Sequence, residues 1–513
     1  MADLHGVETI ELNIGSVAVT TIQTAIIGLV GTAPNASKGT VASRTTGTPL
    51  LDNELTFNAS APGRLGNQYS VKAVAGAAEA KTSASYAAGV LSIILGADTE
   101  GVITATAAEV AAAVKAVADS KIIAVETTAP GIVAPFTALL AGGTDEPFPL
   151  NTPVAVIGGT QLSALGAGGT LGEAITDITD QTNALIIVVR AADKAEGKAA
   201  AVLSTEKGVK LTTEGGAKLL TEQKFAVDPD VRASLIAAMG AWSLSESISS
   251  YRPRILIAPG FSEDDAIGKA LETAANKLRA VAYVDCESMA TPQEVVTRRQ
   301  TYGARVELLR PRVSKVKANG EIAFRPYSAS AAGLRARIDL EKGWWWSKSN
   351  QAIANILGVE QVDEFILGDR NCQANLLNME NVTTIIRRDG FKHWGNRLCI
   401  QDPQWQFESV RRTADVIEDS IQETALLYVD RPLDLENIDD ILGTINSYMR
   451  TLTKLKAIFG GRAWLDEELN TAETLAAGEV YIDYDFGPKS PTERITMRVR
   501  INNQYAVEEL GTV

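Results

Sequence analysis

The stretch RILIAPGFSEDDAIGKALETAANKLRAVAYVD, residues 254–285, decides the fold class. A short apolar run, RILIAPG, leads into a helix opened by Ser262, and a second apolar run, AVAYVD, follows it. The alternation continues with a helix from TPQEVV, beginning at Thr291, and the strand ARVELLR, ending at Arg310. Short apolar strands separated by helices are βαβ units, which build a parallel sheet covered on both faces. Upstream, VAVIGG (154–159), helix-like TLGEAITDITDQ and the buried-type strand ALIIVVR extend the pattern, so residues 148–330 are expected to form an α/β domain.

The flanking segments read differently. At the start, Val7, Thr9 and Glu11 alternate with Glu8, Ile10 and Leu12, and the β-branched run VAVTTIQTAIIGLVG follows, giving an extended arm and first strand over 1–35. Residues 32–50 are Gly/Ser/Thr/Pro-rich without periodicity and are expected to be a linker. A small module starts at Asn53 and ends around AGGTDEPFP (141–149), with strand-like GNQYSVKAV and GVLSIILG. Its helix opens on the capping box Thr106-Ala-Ala-Glu109, with apolar spacing at Val110, Val114 and Val117. Alanine-rich and poor in aromatics, it is expected to be an inserted α+β module over 40–147 that decorates the surface. The remaining 331–513 is expected to be an α+β domain. Val410, Ala414, Ile417, Ile421 and Ala425 mark one helix face there. Near the end, Ile482, Tyr484 and Phe486 alternate with Asp483 and Asp485, then Ile495, Met497, Val499 and Ile501 alternate with Thr496, Arg498, Arg500 and Asn502. The whole is thus an α/β and α+β multidomain chain with strand-like ends.

Bulk properties exclude several classes. The 513 residues are 45% hydrophobic and 21% charged with a net charge of −14, which fits a globular chain and not an extended nucleic-acid groove. No apolar run reaches the ~18 residues of a membrane span, and MADLHGVETIELNIG lacks the features of a secretory signal, so cytosolic synthesis is expected. Cys286, Cys372 and Cys399 are far apart without CxxC spacing, and His5 and His393 are the only histidines, which leaves no zinc knuckle or histidine-rich metal site.

Tests for catalysis and cofactors fail one by one. In GGTQLSALGAGGTLG (158–172) a dinucleotide loop counted from Gly166 and Gly168 needs a third glycine at Leu171, so a structural loop is favoured. Gly197-Lys198 and Gly268-Lys269 are each followed by alanine, not the Ser or Thr of a P-loop, and no GxSxG elbow occurs. His393 beside Trp394 reads as a packing or interface residue, and the carboxylates of DVIED and NIDD read as solvated helix faces. No nucleophile, base and orienting group assemble, so no enzyme activity and no cofactor are expected. A nucleotide-dependent α/β enzyme and a self-assembling surface-array protein remain the alternatives.

Two features point outward. In EKGWWWSKSN (341–350) the consecutive Trp344, Trp345 and Trp346 cannot all face one core. Strand-like ends also have edges to satisfy, either on a neighbouring chain or by folding back on their own.

Several motifs, in order, resemble the tail sheath proteins of contractile-tailed bacteriophages and phage-tail-like bacteriocins. HGVETIELNIG...TIQTAIIGLVGTAP is similar to that family's arm and first strand, and PYSASAAGLRARIDLEKGWWWSKSN to its motif S-x-x-x-A-G-x-x-x-x-x-D-x-E-K-G-x-W. His393-Trp394-Gly395-Asn396-Arg397-Leu398 stands where the family has VWGARTL-like sequence, and GGRAWLDEELNTAETLAAGEVYIDYDFGPKSPTERITMRVRINNQY resembles its C-terminal signature. The resemblance covers 1–35 and about 150–513. It implies hexameric rings stacked helically on a tail tube, self-association, and baseplate and tail-terminator partners, with no nucleic acid bound directly and no membrane insertion. It also implies a virion protein assembled in the host bacterial cytoplasm and extracellular after release, whose metastable lattice shortens to drive the tube through the host envelope.

Residue expectations follow from the resemblance. Val7, Thr9, Ile10, Leu12 and Ile14, with Ile495, Met497, Val499 and Ile501, form an inter-subunit mesh. Trp345 takes the family's tryptophan position and belongs to the core. Trp344 and Trp346 are extra, at least one of them an exposed interface anchor, and Lys348 replaces a usual proline. Arg450, Lys454 and Lys456, in an acid-free segment, are candidates for gripping the tube, against a solvated helix end favoured by its dipole. Release into an oxidising medium makes inter-chain disulfides at Cys286, Cys372 and Cys399 an expectation, against three inert buried thiols.

Overall fold

In the computed structural model, which describes residues 18–125, 127–193, 227–317, 320–509 and 511, the βαβ alternation forms a parallel sheet. Strands β1 (Ile255–Ile257), β2 (Val281–Asp285), β3 (Val306–Leu309) and β4 (Val382–Arg387) run parallel in that order, and β5 (Phe391–Trp394) joins antiparallel to β4. All residues of β1, β2 and β3 are buried, as expected for a sheet covered on both faces. Helix α1 (Asp265–Leu278) follows β1, and its cap is Asp264, whose side chain accepts from Ala266 N and Ile267 N; the expected opener, Ser262, turns inward instead. Helix α2 (Pro292–Arg299) starts on a capping box of Thr291 and Glu294.

The described residues form two compact units. The first holds residues up to Ile27, Asp177–Leu185 and everything from Pro253 onward; the second holds Gly28–Thr176 and Ile186–Arg252. Compactness therefore groups 253–330 with the C-terminal third instead of dividing the chain at 330. The reason is helix α3 (Ser328–Glu341), which packs on β1 and β2 and buries every residue from Ser328 to Ala336. The family motif acquires a physical basis here. A side chain at Gly333 would meet the carbonyl of Ile178 at 2.7 Å, and Gly343, at φ +104°, leaves room for the Trp345 ring, 2.5 Å from where a Cβ would stand.

Further along the first unit, α4 (Glu408–Ala425) and α5 (Leu435–Lys454) pack with an antiparallel hairpin of β6 (Ile458–Leu465) and β7 (Ile482–Pro488). Their shared core contains Ile417, Ile421, Ile445, Tyr448, Met449 and Leu452, with Trp344 and Trp345 packed against it.

In the second unit, the segment expected to be inserted has its own core, drawn wholly from residues between Ala42 and Leu140 and including Phe57, Leu91 and Ile93. The core lies among a three-stranded sheet, a four-stranded sheet and the helix Ala107–Lys115, which carries the Thr106–Glu109 capping box. The expected linker is partly strand, because Val41–Thr46 pairs with Leu55–Pro62. Thr40 N donates to Thr144 O at 3.1 Å, so the two ends of the segment meet. The glycine loop at 158–172 is structural: a Cβ on Gly166 would strike Asn35 O at 2.1 Å, and one on Gly169 would strike Thr32 O at 2.2 Å.

Candidate assembly site

Helix α4 carries a buried polar face as well as its apolar one. Val410, Ala414, Ile417 and Ile421 are buried as their spacing requires, yet so are Glu408, Arg412, Asp415 and Asp419. Arg305 meets Asp415 with two parallel bonds of 2.6 and 2.7 Å, and Asp419 accepts from Arg254 and, at 2.7 Å, from Arg279. The expectation that DVIED is a solvated face is thus overturned for Asp415 and Asp419. Arg254 and Arg305 stand just before β1 and β3 and present cations where the helix crosses the sheet. Spacings of four, three and four from 408 to 419 repeat the helical period, and that was the available signal.

The densest part of this network lies beneath the tryptophan run. Lys348, fully buried, places Nζ 2.5 Å from Glu307 and 3.2 Å from Glu408, and 3.7 Å from the centre of the Tyr283 ring. Arg335, also fully buried, donates to Asp339 (2.8 Å) and to the carbonyl of Trp346 (2.7 Å), while Arg412 pairs with Asp339. Tyr283 donates to Glu408 at 2.6 Å. Burial by itself raises the Glu408 pKa, but Lys348, Arg335 and Arg412 outweigh it and hold the carboxyl well below the usual range. Lys348 therefore sets one buried cation between two enclosed carboxylates. His393 sits in the same pocket, fully buried, its pKa depressed by desolvation. The sequence showed none of these partners, because they come from five separate segments.

The carboxyl edge of the parallel strands is where an α/β enzyme holds its ligand. Here the protein's own side chains fill it. Asp285, at the end of β2, accepts from Ser262 Oγ (3.0 Å), Ser328 N (2.8 Å) and Ser328 Oγ (2.5 Å). Arg298 donates to the carbonyls of Ser262 (2.8 Å) and Asp285 (3.2 Å), and Arg312 closes on Glu263 (2.6 Å), whose carboxyl burial raises to about 7. This interior network speaks against the nucleotide-dependent alternative.

The aromatic run divides by exposure. Trp344 and Trp345 meet edge to face at 4.7 Å and are half-buried on the C-terminal core, while Trp346 is 49% exposed with Lys342 Nζ 5.5 Å from its ring centre. Trp345 is therefore a core-margin residue, less enclosed than expected. Trp394 is half-buried and packs edge to face on Phe365 at 5.0 Å. Cys286, Cys372 and Cys399 are all free and buried, and burial pushes the Cys286 thiol up to about 12 and that of Cys399 higher still. Of the two readings, inter-chain disulfides and three inert buried thiols, this burial favours the second.

What faces outward is the C-terminal segment that alternation predicts to be a strand. Ile495, Met497, Val499 and Ile501 are 73–91% exposed and form no strand within the subunit. The base of this segment is held to Arg397 through Glu493, a half-exposed pair of little worth. In the nearby hairpin, Asn446 of α5 bonds both the N–H (2.9 Å) and the carbonyl (3.1 Å) of Ala463 and so occupies the outer edge of β6. The outer edge of β7 has no strand beside it among the described residues. Its apolar side chains Ile482, Tyr484 and Phe486 pack on the core, and Asp483 and Asp485 face solvent. On α5, Arg450 and Lys454 lie on one exposed face beside Gly460 and Gly461, and Lys456 is exposed just beyond the helix. Val7 to Ile14 lie outside the described residues.

Comparison with known proteins places this geometry. Residues 235–397 match the phage tail sheath protein central domain and residues 400–502 the phage tail sheath C-terminal domain. The tail sheath protein of Escherichia phage P2 is 34% identical over 375 residues, covering 72% of this chain and 89% of that protein. The major tail sheath protein of Serratia phage KSP20 is 33% identical over 363 residues, covering 70% and 86%. Among solved structures, a chain of the anti-feeding prophage baseplate in its contracted state superposes with TM-score 0.53 at 18% identity, covering 73% of this chain and 99% of that one. A chain of the contracted PVC sheath complex, from an extracellular contractile injection system, superposes with TM-score 0.50 at 15% identity, covering 70% and 89%, a likeness of fold. By its matched domains and its relatives, the chain belongs to the phage tail sheath family.

Proposed function

We propose that this chain is the repeating subunit of a contractile tail sheath in a virion, stacked as hexameric rings around a tail tube and joined by its terminal arms. The single observation that carries the proposal is the C-terminal segment 495–501, whose four alternating apolar side chains are 73–91% exposed. Burying each contributes roughly 1.5–3 kcal/mol, which on a neighbouring copy becomes association energy.

The geometry suggests the recipient. An arm added to the free edge of β7 would align Ile495, Met497, Val499 and Ile501 with the apolar row Ile482, Tyr484 and Phe486. Arg498 and Arg500 would then face Asp483 and Asp485, the pairing that cross-strand opposite charges favour. The N-terminal segment Val7–Ile14 supplies the second half of the mesh. Backbone pairing of this kind persists while linkers absorb the rotation of rigid subunits, so a metastable extended lattice can shorten without dissociating and push the tube through a host envelope.

Arg450, Lys454 and Lys456 would grip the tube by charge, a contact weak enough to release. Trp346 anchors a contact between subunits. The inserted segment, 40–147, decorates the outer surface, and baseplate and terminator proteins cap the two ends. Truncation after Gly487 tests the proposal: the shortened chain should stay folded and monomeric in sedimentation while the full-length protein polymerises. Polymers of the truncated chain would overturn it.

A further inference from the structure

His393 is the one histidine of the buried network. The charges around it cancel: the carboxylates of Glu307, Glu408 and Asp339 are enclosed with the cations of Lys348, Arg335 and Arg412. Its ring lies between two polar groups and is hydrogen-bonded by one of them, through Nδ1. Nε2 lies 3.3 Å from Glu307 Oε1, and Nδ1 lies 2.6 Å from the Tyr327 hydroxyl. A carboxylate only accepts, so the neutral ring carries its hydrogen on Nε2, and Tyr327 O–H donates to Nδ1. An incoming proton must therefore displace the Tyr327 hydrogen from Nδ1, and Tyr327 is itself buried.

The backbone of His393 is tied to the segment after the tryptophans. Its N–H donates to Gln351 O at 3.0 Å and its carbonyl accepts from Asn350 N at 2.7 Å. The elements packed here bring further groups: β2 gives Tyr283, which donates to Glu408, β3 gives Glu307, β4 gives Thr383, which donates to Glu307 at 2.7 Å, α3 is preceded by Tyr327 and carries Arg337, α4 gives Glu408, and the segment before Asn350 gives Lys348.

We propose that His393 is an acid sensor: when it takes up a proton, a second cation stands beside Lys348 in a cluster already neutral, the Tyr327 bond is lost, and residues 343–351 open. Burial lowers the proton affinity of His393 in the folded subunit, which supports the same sense. The sign is fixed by linkage. A histidine whose folded pKa is depressed stabilises the closed form fully above its unfolded value of about 6.5, and that contribution is lost as pH falls toward the folded value. Over that window the opening constant of residues 343–351 should rise about tenfold per pH unit. The segment carries exposed Trp346 and the two tryptophans packed on the arm-bearing hairpin core, so opening it would loosen a contact surface in acid.

The test uses the full-length subunit kept monomeric at low concentration. Hydrogen exchange of residues 343–351, corrected for intrinsic rates, is measured from pH 8 to 5 on the wild type and on His393→Gln, which keeps a neutral side chain. The wild type should lose protection below pH 6.5 while the variant stays flat; identical pH profiles would overturn the proposal. Should the variant fail to fold, NMR titration of ring-labelled histidine in the wild type decides, since His5 and His393 are the only two histidines. One ring should titrate near 6.5 and the other only as the segment opens. Two ordinary titrations with protection unchanged would sink the idea.

Discussion

Replacing Lys348 by methionine removes the only lysine from the buried network while keeping most of its volume. The side chain is fully buried, with carboxylates at 2.5 and 3.2 Å, so methionine leaves Glu307 and Glu408 facing each other with Arg335 and Arg412 as the remaining cations. Stranding a buried charge in this way costs roughly 3–5 kcal/mol. Six of the seven tryptophans, all except Trp242, lie in the unit that contains Lys348, so tryptophan fluorescence during urea unfolding reports on the right part of the molecule. The double variant Lys348→Met/Glu307→Gln should recover part of the loss, because one stranded carboxylate goes with the lysine. Lys348 also depresses the proton affinity of His393. Without it His393 takes a proton at higher pH and partly replaces the missing cation, so the gap between wild type and Lys348→Met should narrow from pH 8 to pH 6. A loss below about 1 kcal/mol at pH 8 would refute the reasoning, since it would place the pair in solvent.

Three further outcomes are expected. Native subunits should resist thiol alkylation at pH 8 and label at all three cysteines only after unfolding; rapid native labelling would contradict their burial. Replacing residues 42–146 with a short Gly/Ser linker should leave polymerisation intact, because the segment has its own core and its ends meet at Thr40 and Thr144; loss of assembly with the rest folded would put it inside the lattice. Arg450→Glu with Lys454→Glu should shift stability by no more than about 0.5 kcal/mol, both being exposed, yet abolish co-sedimentation with tube; normal sheathed tails would remove α5 from that contact.

Regular features were legible in the sequence because each is local. The buried strands at 255–257, 281–285 and 306–309, the capping box at Thr106 and the apolar face of α4 follow from periodicity and cap chemistry within one segment. Val41–Thr46 was missed because its Gly/Ser/Thr composition looks like a turn, and it becomes a strand only through a partner, Leu55–Pro62. The polar network was missed for a related reason. Asp415 and Asp419 look solvated unless Arg305 and Arg254 are known to lie beneath them, and those arginines are more than a hundred residues away. Of the site, the apolar alternation over 495–501 and the shared face of Arg450 and Lys454 could be read from the sequence, although the strand that alternation predicts does not form within the subunit; the capped edge of β6 depends on Asn446 and could not be read.

The most direct test of arm-mediated assembly is a cryo-electron microscopy reconstruction of the polymer formed by the full-length protein. Density for residues 495–501 should leave each subunit and run as a strand along β7 of a neighbour, with Arg498 and Arg500 beside Asp483 and Asp485. Arms folded back on their own subunit, or a lattice joined elsewhere with residues 495–501 still bare, would contradict it.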